Sequence, residues 1–113
     1  MLFGLQMPQM GEDMRWGVIR RVIVQPGARV ELGPRLVEVE VDLSEVAEQN
    51  CAPISWFLIV AAESGWLRKM DGAAGDRRDV GSLLAIVSRE EAEPLDGNRV
   101  DRPFRVNIAG ICT

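Results

Sequence analysis

Two stretches of the 113-residue chain decide its fold: GVIRRVIVQPGARVELGPRLVEV, Gly17–Val39, and GWLRKMDGAAGDRRDVGSLLAIV, Gly65–Val87. They align without a gap, and three glycines of the first stretch fall on three glycines of the second. The matched pairs are Gly17 with Gly65, Gly27 with Gly75, and Gly33 with Gly81. Glycines that recur at the same two spacings indicate an internal repeat. The chain is therefore predicted to contain two related halves.

Each half is predicted to consist of short strands that turn at the glycines, where the backbone needs positive φ. Residues 36–42 alternate valine with carboxylates, which is typical of a half-buried strand, whereas residues 83–87 are apolar throughout. Neither half can bury its apolar face alone, so the two should pack face to face. The pattern predicts a small all-β sandwich or flattened barrel, with almost no helix outside residues 44–50.

Composition excludes several classes of function. The net charge of −4 argues against binding to nucleic acid, which favours a basic surface. The absence of histidine and tyrosine excludes histidine triads and histidine-ligated metals, and the two cysteines form no CxxC pair. The longest apolar run, residues 56–62, is too short to span a membrane, and the first ten residues do not resemble a signal peptide. We expect a cytoplasmic protein without a metal and without catalytic activity of its own.

Several motifs occur in the order found in lipoyl domains. They are MPQMGEDM (7–14), PGARVELG (26–33), RLVEVEVD (35–42), ESGWLRKM (63–70) and GAAGDRRDVGSLLAIV (72–87). Over about residues 5–87 the chain resembles the biotinyl/lipoyl attachment domain family, in particular the lipoyl domains of the acyltransferase components of 2-oxo acid dehydrogenases. The resemblance implies a flattened β-barrel or sandwich of two antiparallel sheets related by pseudo-twofold symmetry.

The attachment site departs from the family pattern. In the family, a tight hairpin reading roughly Glu-Thr-Asp-Lys-Ala presents the lysine that takes the cofactor. Here Leu43 occupies the lysine position, flanked by Asp42 and Ser44. A leucine has no amine, so it cannot form an amide with lipoate or biotin. The one lysine of the chain, Lys69, belongs to a different predicted strand. We therefore expect no attached lipoate or biotin.

The attachment hairpin is also enlarged, by about eleven residues relative to the family, within residues 44–56. We divide the chain into a lipoyl-like domain at 1–88 that contains this insertion, a linker at 89–103, and an extra C-terminal strand at 104–113. The linker is charged and rich in turn residues. The last segment alternates apolar with polar or small residues, and its strand would pair with a sheet edge of this chain or of a neighbour.

Two residues of the insertion are candidates for an unusual attachment. Cys51 would be a thiol carrier in place of the lipoyl group, although no neighbouring cation would lower its pKa, and an inert small side chain is the alternative. Ser44 would be a phosphopantetheine attachment serine, but the order Asp-Leu-Ser differs from that of acyl carrier proteins, and a turn or helix cap is the alternative.

Other polar residues have a structural and a functional interpretation. Glu38, Glu40 and Asp42 share one strand face and are interpreted as a solvated surface rather than an acid–base pair. The loop Gly11-Glu12-Asp13 resembles the lipoyl-domain loop that contributes to recognition by the partner decarboxylase. It is either a retained docking surface or a loop that the fold requires.

The stretch 56–62, WFLIVAA, is apolar on both faces. Such a strand must be covered on both faces, either by the insertion or tail of the same chain or by a partner. We favour a partner interface at Trp56, Phe57, Leu58 and Ile59, in a homodimer.

Two functions compete. The first is a non-lipoylated, lipoyl-like domain that acts in protein–protein interaction or as an accessory component. Its partner would be a subunit of a thiamine-dependent decarboxylase or 2-oxo acid dehydrogenase. The second is an acyl or cofactor carrier attached through Cys51 or Ser44.

Overall fold

Two five-stranded β-sheets pack face to face in the computed structural model, which describes residues 1–9, 15–33, 35–42, 54–97 and 99–111. The strands are β1 Leu2–Gln6, β2 Trp16–Val22, β3 Arg29–Val30, β4 Arg35–Asp42, β5 Ile54–Ala61, β6 Gly65–Met70, β7 Arg77–Asp79, β8 Leu83–Ser88, β9 Arg102–Pro103 and β10 Val106–Ile111. No helix occurs in these residues, so none there is long and apolar enough to cross a membrane. The all-β prediction is confirmed.

The strand order separates the two sheets clearly. Sheet A runs β3-β6-β8-β1-β9 and sheet B runs β10-β5-β4-β2-β7. Neither sheet closes on itself, so the fold is an open, flattened sandwich rather than a barrel. Pairing is antiparallel except between β1 and β9, which are parallel. That short parallel pair departs from the expectation of purely antiparallel sheets.

The predicted repeat is present in the strand register. The two glycine stretches are offset by 65 − 17 = 48 residues, and the strand pairs carry the same offset. Val18 lies opposite Glu40 as Trp66 lies opposite Ser88. One register shift follows Ile19 in β2, and the matching shift follows Leu67 in β6. The halves are therefore related residue by residue.

The turn glycines are explained by their backbone angles. Gly27 and its repeat mate Gly75 both have φ of 94°, and Gly33 and Gly81 have φ of 106° and 86°. Residues that carry a side chain rarely adopt such φ angles. The first glycine pair differs from expectation, because Gly17 lies within β2 and Gly65 begins β6. A Cβ on Gly65 would lie 2.6 Å from Val87 Cγ1, so close packing excludes a side chain there.

The tail after β8 is integrated into both sheets. The chain crosses beside β1 as β9 and then adds β10 to the edge of β5. Between these strands Phe104 enters the core, 4% exposed, with its ring centroid 6.1 Å from that of Phe3. The segment predicted as a linker, 89–103, thus contains a strand, and the extra strand begins at Val106 and pairs within the same chain.

Candidate functional site

The described residues on either side of the attachment position lie at one end of sheet B. β4 and β5 stay paired up to Asp42 opposite Ile54, so residues 43–53 join them. β5 therefore begins two residues before Trp56, inside the stretch that the sequence assigned to the insertion. In the same sheet Val18 lies opposite Glu40, which places the first residue of β2, Trp16, beside the end of β4. We call this end of sheet B the hairpin end.

The described residues on either side of the predicted docking loop lie near the hairpin end. The loop residues Gly11, Glu12 and Asp13 lie outside the described residues, as do Leu43, Ser44 and Cys51. Both flanks of the loop are fixed to the turn before β8. Val80 N–H donates to the carbonyl of Arg15 at 2.9 Å, and Gly81 N–H donates to that of Met7 at 2.9 Å. The described residues that follow the predicted docking loop and precede the attachment position, Arg15 and Asp42, therefore lie at the same end of sheet B.

Two tryptophans with stacked arginines mark the outer face near the hairpin end. The guanidinium carbon of Arg20, on β2, lies 4.7 Å from the centroid of the Trp56 ring, on β5, and so reaches across β4. The guanidinium carbon of Arg77 lies 4.1 Å from the centroid of Trp16. At these distances the cations interact with the negative faces of the rings. Both tryptophans are half-buried, which leaves an aromatic and cationic surface in contact with solvent.

The carboxylates of β4 are less solvated than the alternating pattern predicted. Glu38 is only 9% exposed and lies 4.0 Å from Arg21 Nε, and Glu40 is half-buried in the row that also contains Trp56. The expectation of a solvated face is wrong for Glu38. Sequence alternation identifies the face but not the arginines and the buried Leu58 that lie beside it.

The matching end of sheet A is covered by the tail. The repeat mates of Glu38 and Glu40 are Ile86 and Ser88, which are 1% and 0% exposed. Ser88 Oγ donates to the carbonyl of Glu90, and Leu2 N–H donates to Asp101 Oδ2 at 2.8 Å. That backbone donation is the main reason why the pKa of Asp101 lies below its usual value. The tail therefore covers this end of sheet A, whereas the repeat-related end of sheet B is the hairpin end.

The apolar strand divides between the core and the surface. Phe57 and Ile59 are fully buried in the core, and Leu58, on the opposite face, is 6% exposed within a single chain. Trp56 and Val60 are half-buried. Of the four residues predicted to form a partner interface, 56–59, only Trp56 presents substantial surface in the single chain, and the interface itself stays a prediction. Sequence reasoning missed Trp16, Arg20 and Arg77, whose contacts depend on strand order.

A second polar cluster links β9 to the turn after β5. Glu63 accepts two hydrogen bonds from the Arg102 guanidinium, at 2.6 and 2.7 Å, and one from Arg105 N–H at 2.7 Å. The side-chain bonds to Arg102 lower the pKa of Glu63, with the Arg105 N–H and the two positive charges adding to the effect against desolvation. A cleft of about 200 Å³ beside this pair is lined by Phe3, Glu63, Ser64, Arg89 and Arg102. The Glu63 carboxylate in this cleft is already paired with Arg102, which gives Glu63 a structural role.

The described residues contain no cluster of three or more histidine, cysteine or acidic side chains able to hold a metal ion. The described residues of the hairpin end present an aromatic and cationic surface.

The two described sheets form a lipoyl-domain-like β-sandwich. Among curated proteins, the chain is similar to the dihydrolipoyllysine-residue succinyltransferase component of the 2-oxoglutarate dehydrogenase complex of Bacillus subtilis (strain 168). The two are 29% identical over 89 residues, which are 79% of this chain and 19% of the relative. The chain thus spans about a fifth of the relative's length. No family model matches the chain. The comparison establishes a distant relationship to this acyltransferase component.

Proposed function

We propose that this protein is a lipoyl-like domain that carries no lipoate and acts as an interaction or accessory component of a thiamine-dependent, 2-oxo acid dehydrogenase-like system. The observation that carries the proposal is the end of β4 at Asp42. The residue that follows Asp42 in the sequence is Leu43, where the resemblance places a lysine. In the described residues the pairing of β4 with β5 ends at Asp42 opposite Ile54, so eleven residues, 43–53, connect them where the resemblance places a tight hairpin.

Both changes act against modification. Amide formation with lipoate or biotin needs a primary amine, which leucine lacks. A ligase that recognises a tight hairpin would also not find it in an eleven-residue connection. We propose that this domain, without the acceptor, retains a surface by which carriers of this fold meet their enzymes, and this surface is the basis of the proposed function.

The proposed partner is a thiamine-dependent decarboxylase or dehydrogenase subunit, bound at the hairpin end. Supporting this choice are the relationship to an acyltransferase component and the half-buried Trp16 and Trp56 with their stacked arginines. Tryptophan and arginine dominate the binding energy of many protein interfaces. We further propose that the protein is cytoplasmic, has no catalytic activity of its own, and binds neither nucleic acid nor membranes.

The absence of modification is tested with a lipoate–protein ligase or biotin ligase, ATP and cofactor. We expect no mass change in the wild-type chain and very little in Leu43→Lys, because the hairpin geometry remains wrong. A variant with residues 43–53 replaced by a tight hairpin containing lysine should be modified. Efficient modification of Leu43→Lys alone would contradict the proposed effect of the enlarged loop.

The carrier alternative is tested by the intact mass of protein purified from its native host. A stoichiometric adduct on Cys51 or Ser44 would overturn the proposal in favour of a carrier. The result that the proposal expects is a mass equal to that calculated from the amino-acid sequence, with no adduct on either residue.

Binding is tested with the thiamine-dependent decarboxylase subunit of the same host by calorimetry. Trp56→Ala should weaken binding by at least about tenfold, as expected for an interface hot spot. Trp66→Ala is the matched control, because Trp66 is also half-buried with a stacked arginine, 5.7 Å from Arg29, but lies in sheet A. Equal effects of the two variants, or no binding by the wild-type chain, would reject this partner site.

A further inference from the structure

Three of the four sheet edges are protected against pairing with another chain. Sheet A ends in two strands of two residues each, β3 and β9, and the latter contains Pro103. One edge of sheet B is β7, which consists of three charged residues. Short length, charge and proline are the common protections of edge strands. The fourth edge, β10, has six residues, VNIAGI, without a charge or a proline.

β10 is a regular strand, and its outward backbone groups can be assigned. It pairs with β5 from Val106 opposite Ala61 to Ile111 opposite Trp56 without a register shift. Ala62 N–H donates to the Arg105 carbonyl at 3.0 Å, so Arg105 lies at a position whose backbone carbonyl points toward β5. Such positions alternate along an antiparallel ladder. The N–H and C=O groups of Val106, Ile108 and Gly110 therefore point away from β5, to a side where no described strand lies.

A large apolar side chain lies at the centre of this edge. Ile108 is 38% exposed, although its partner across the ladder, Ile59, is completely buried. A strand added beside β10 would cover Ile108 and satisfy the outward backbone groups on both of its sides.

We infer that two copies of the chain pair antiparallel through β10, with the twofold axis beside Ile108, so that two five-stranded sheets form one of 5 + 5 = 10 strands. In this register Ile108 lies opposite its own copy and Val106 lies opposite Gly110 of the other chain. The three outward residues then form about six intermolecular hydrogen bonds. This interface lies at the β10 edge rather than at residues 56–59.

A second copy suits this edge for reasons of charge and symmetry. The chain carries a net charge of −4, but β10 itself is uncharged, so self-pairing brings no like charges opposite one another in the strand. Hydrogen-bonding groups at every second residue around Ile108 match their own copy under a twofold rotation. Twofold pairing is also the commonest form of homo-oligomer. The inference does not depend on the proposed partner enzyme.

The oligomeric state tests the inference directly. By sedimentation equilibrium at tens of micromolar, the wild-type chain should be a dimer, and Ile108→Lys should raise the dimer Kd by at least about tenfold, since lysine on an edge strand opposes pairing. Ile23→Lys is the matched control, because Ile23 is 37% exposed and directly follows β2, which β5 and β4 separate from β10, so this variant should leave the dimer intact. An unchanged circular dichroism spectrum of Ile108→Lys would show that its fold is retained.

Cross-linking locates the axis. Opposed residues of a hydrogen-bonded antiparallel pair have Cα atoms about 5.5 Å apart, within the range that a disulfide spans. In a Cys51→Ser, Cys112→Ser background, Ile108→Cys should form a disulfide-linked dimer on oxidation, and Ile23→Cys should not. A monomeric wild-type chain, a dimer that Ile108→Lys leaves intact, or the failure of Ile108→Cys to cross-link would each overturn the inference.

Discussion

Gly65 illustrates how a single residue position is fixed by packing rather than by backbone angle. An added Cβ would lie 2.6 Å from Val87 Cγ1 and 2.9 Å from the carbonyl oxygen of Ser88, and the latter is backbone that cannot move alone. We expect Gly65→Ala to lower the free energy of unfolding by about 1–3 kcal/mol, the usual cost of overpacking. Urea denaturation followed by tryptophan fluorescence measures this loss.

The double variant Gly65→Ala, Val87→Ala separates the steric cause from a general effect on β6. Truncating Val87 removes the closer of the two contacts, so the double variant should be less destabilised than the sum of the single variants. Strict additivity would mean that the contact with Val87 does not cause the loss.

Among the elements of the fold, the ion pair between Glu63 and Arg102 connects the tail to the turn between β5 and β6. The pKa of Glu63 is lowered in the folded chain, chiefly by its hydrogen bonds to Arg102. Its contribution to stability is therefore present above the unfolded pKa of a glutamate and is lost as the pH falls through the lower, folded pKa. We expect Glu63→Gln to lower the free energy of unfolding by about 1–2 kcal/mol at neutral pH.

The pH dependence distinguishes this ion pair from simple packing. Urea denaturation at pH 7 and in the acid range should show the difference between wild type and Glu63→Gln shrinking as the pH falls. Glu31→Gln is a suitable control, since Glu31 lies 3.6 Å from Arg29 with a side chain that is 73% exposed. A difference that is constant with pH would contradict the assigned role of the Glu63 charge.

The elements also show how far the sequence predicts the structure. The recurring glycines predicted two all-β halves, and the register shifts after Ile19 and Leu67 are the same repeat seen in three dimensions. The repeat could not predict the stacking of Arg20 on Trp56, since that contact crosses β4 and depends on strand order. Nor could it predict a buried Glu38, because alternation specifies a face without specifying what lies on it.

For the whole molecule, the tail joins the two sheets of the sandwich. β9 extends sheet A, β10 extends sheet B, and between them Phe104 packs in the core between the two sheets. The tail therefore contributes to the core itself, and its loss should affect both sheets together. Composition alone predicts residues 89–103 as a linker. It does not reveal the contact between the tail and the core, because Phe104, just beyond the charged stretch, makes that contact.

Phe104→Ala tests this cooperativity. Removing a buried phenylalanine side chain from a packed core costs about 3–5 kcal/mol, a large share of the stability of a domain of this size. We expect Phe104→Ala to lower the unfolding midpoint in urea equally when monitored by far-UV circular dichroism and by tryptophan fluorescence, because both sheets unfold in one transition. Leu32→Ala, at a residue that is 71% exposed, should leave the midpoint nearly unchanged. Two separate transitions, with the early one confined to the tail, would mean that the sandwich is stable without β9 and β10 and that Phe104 only covers its surface.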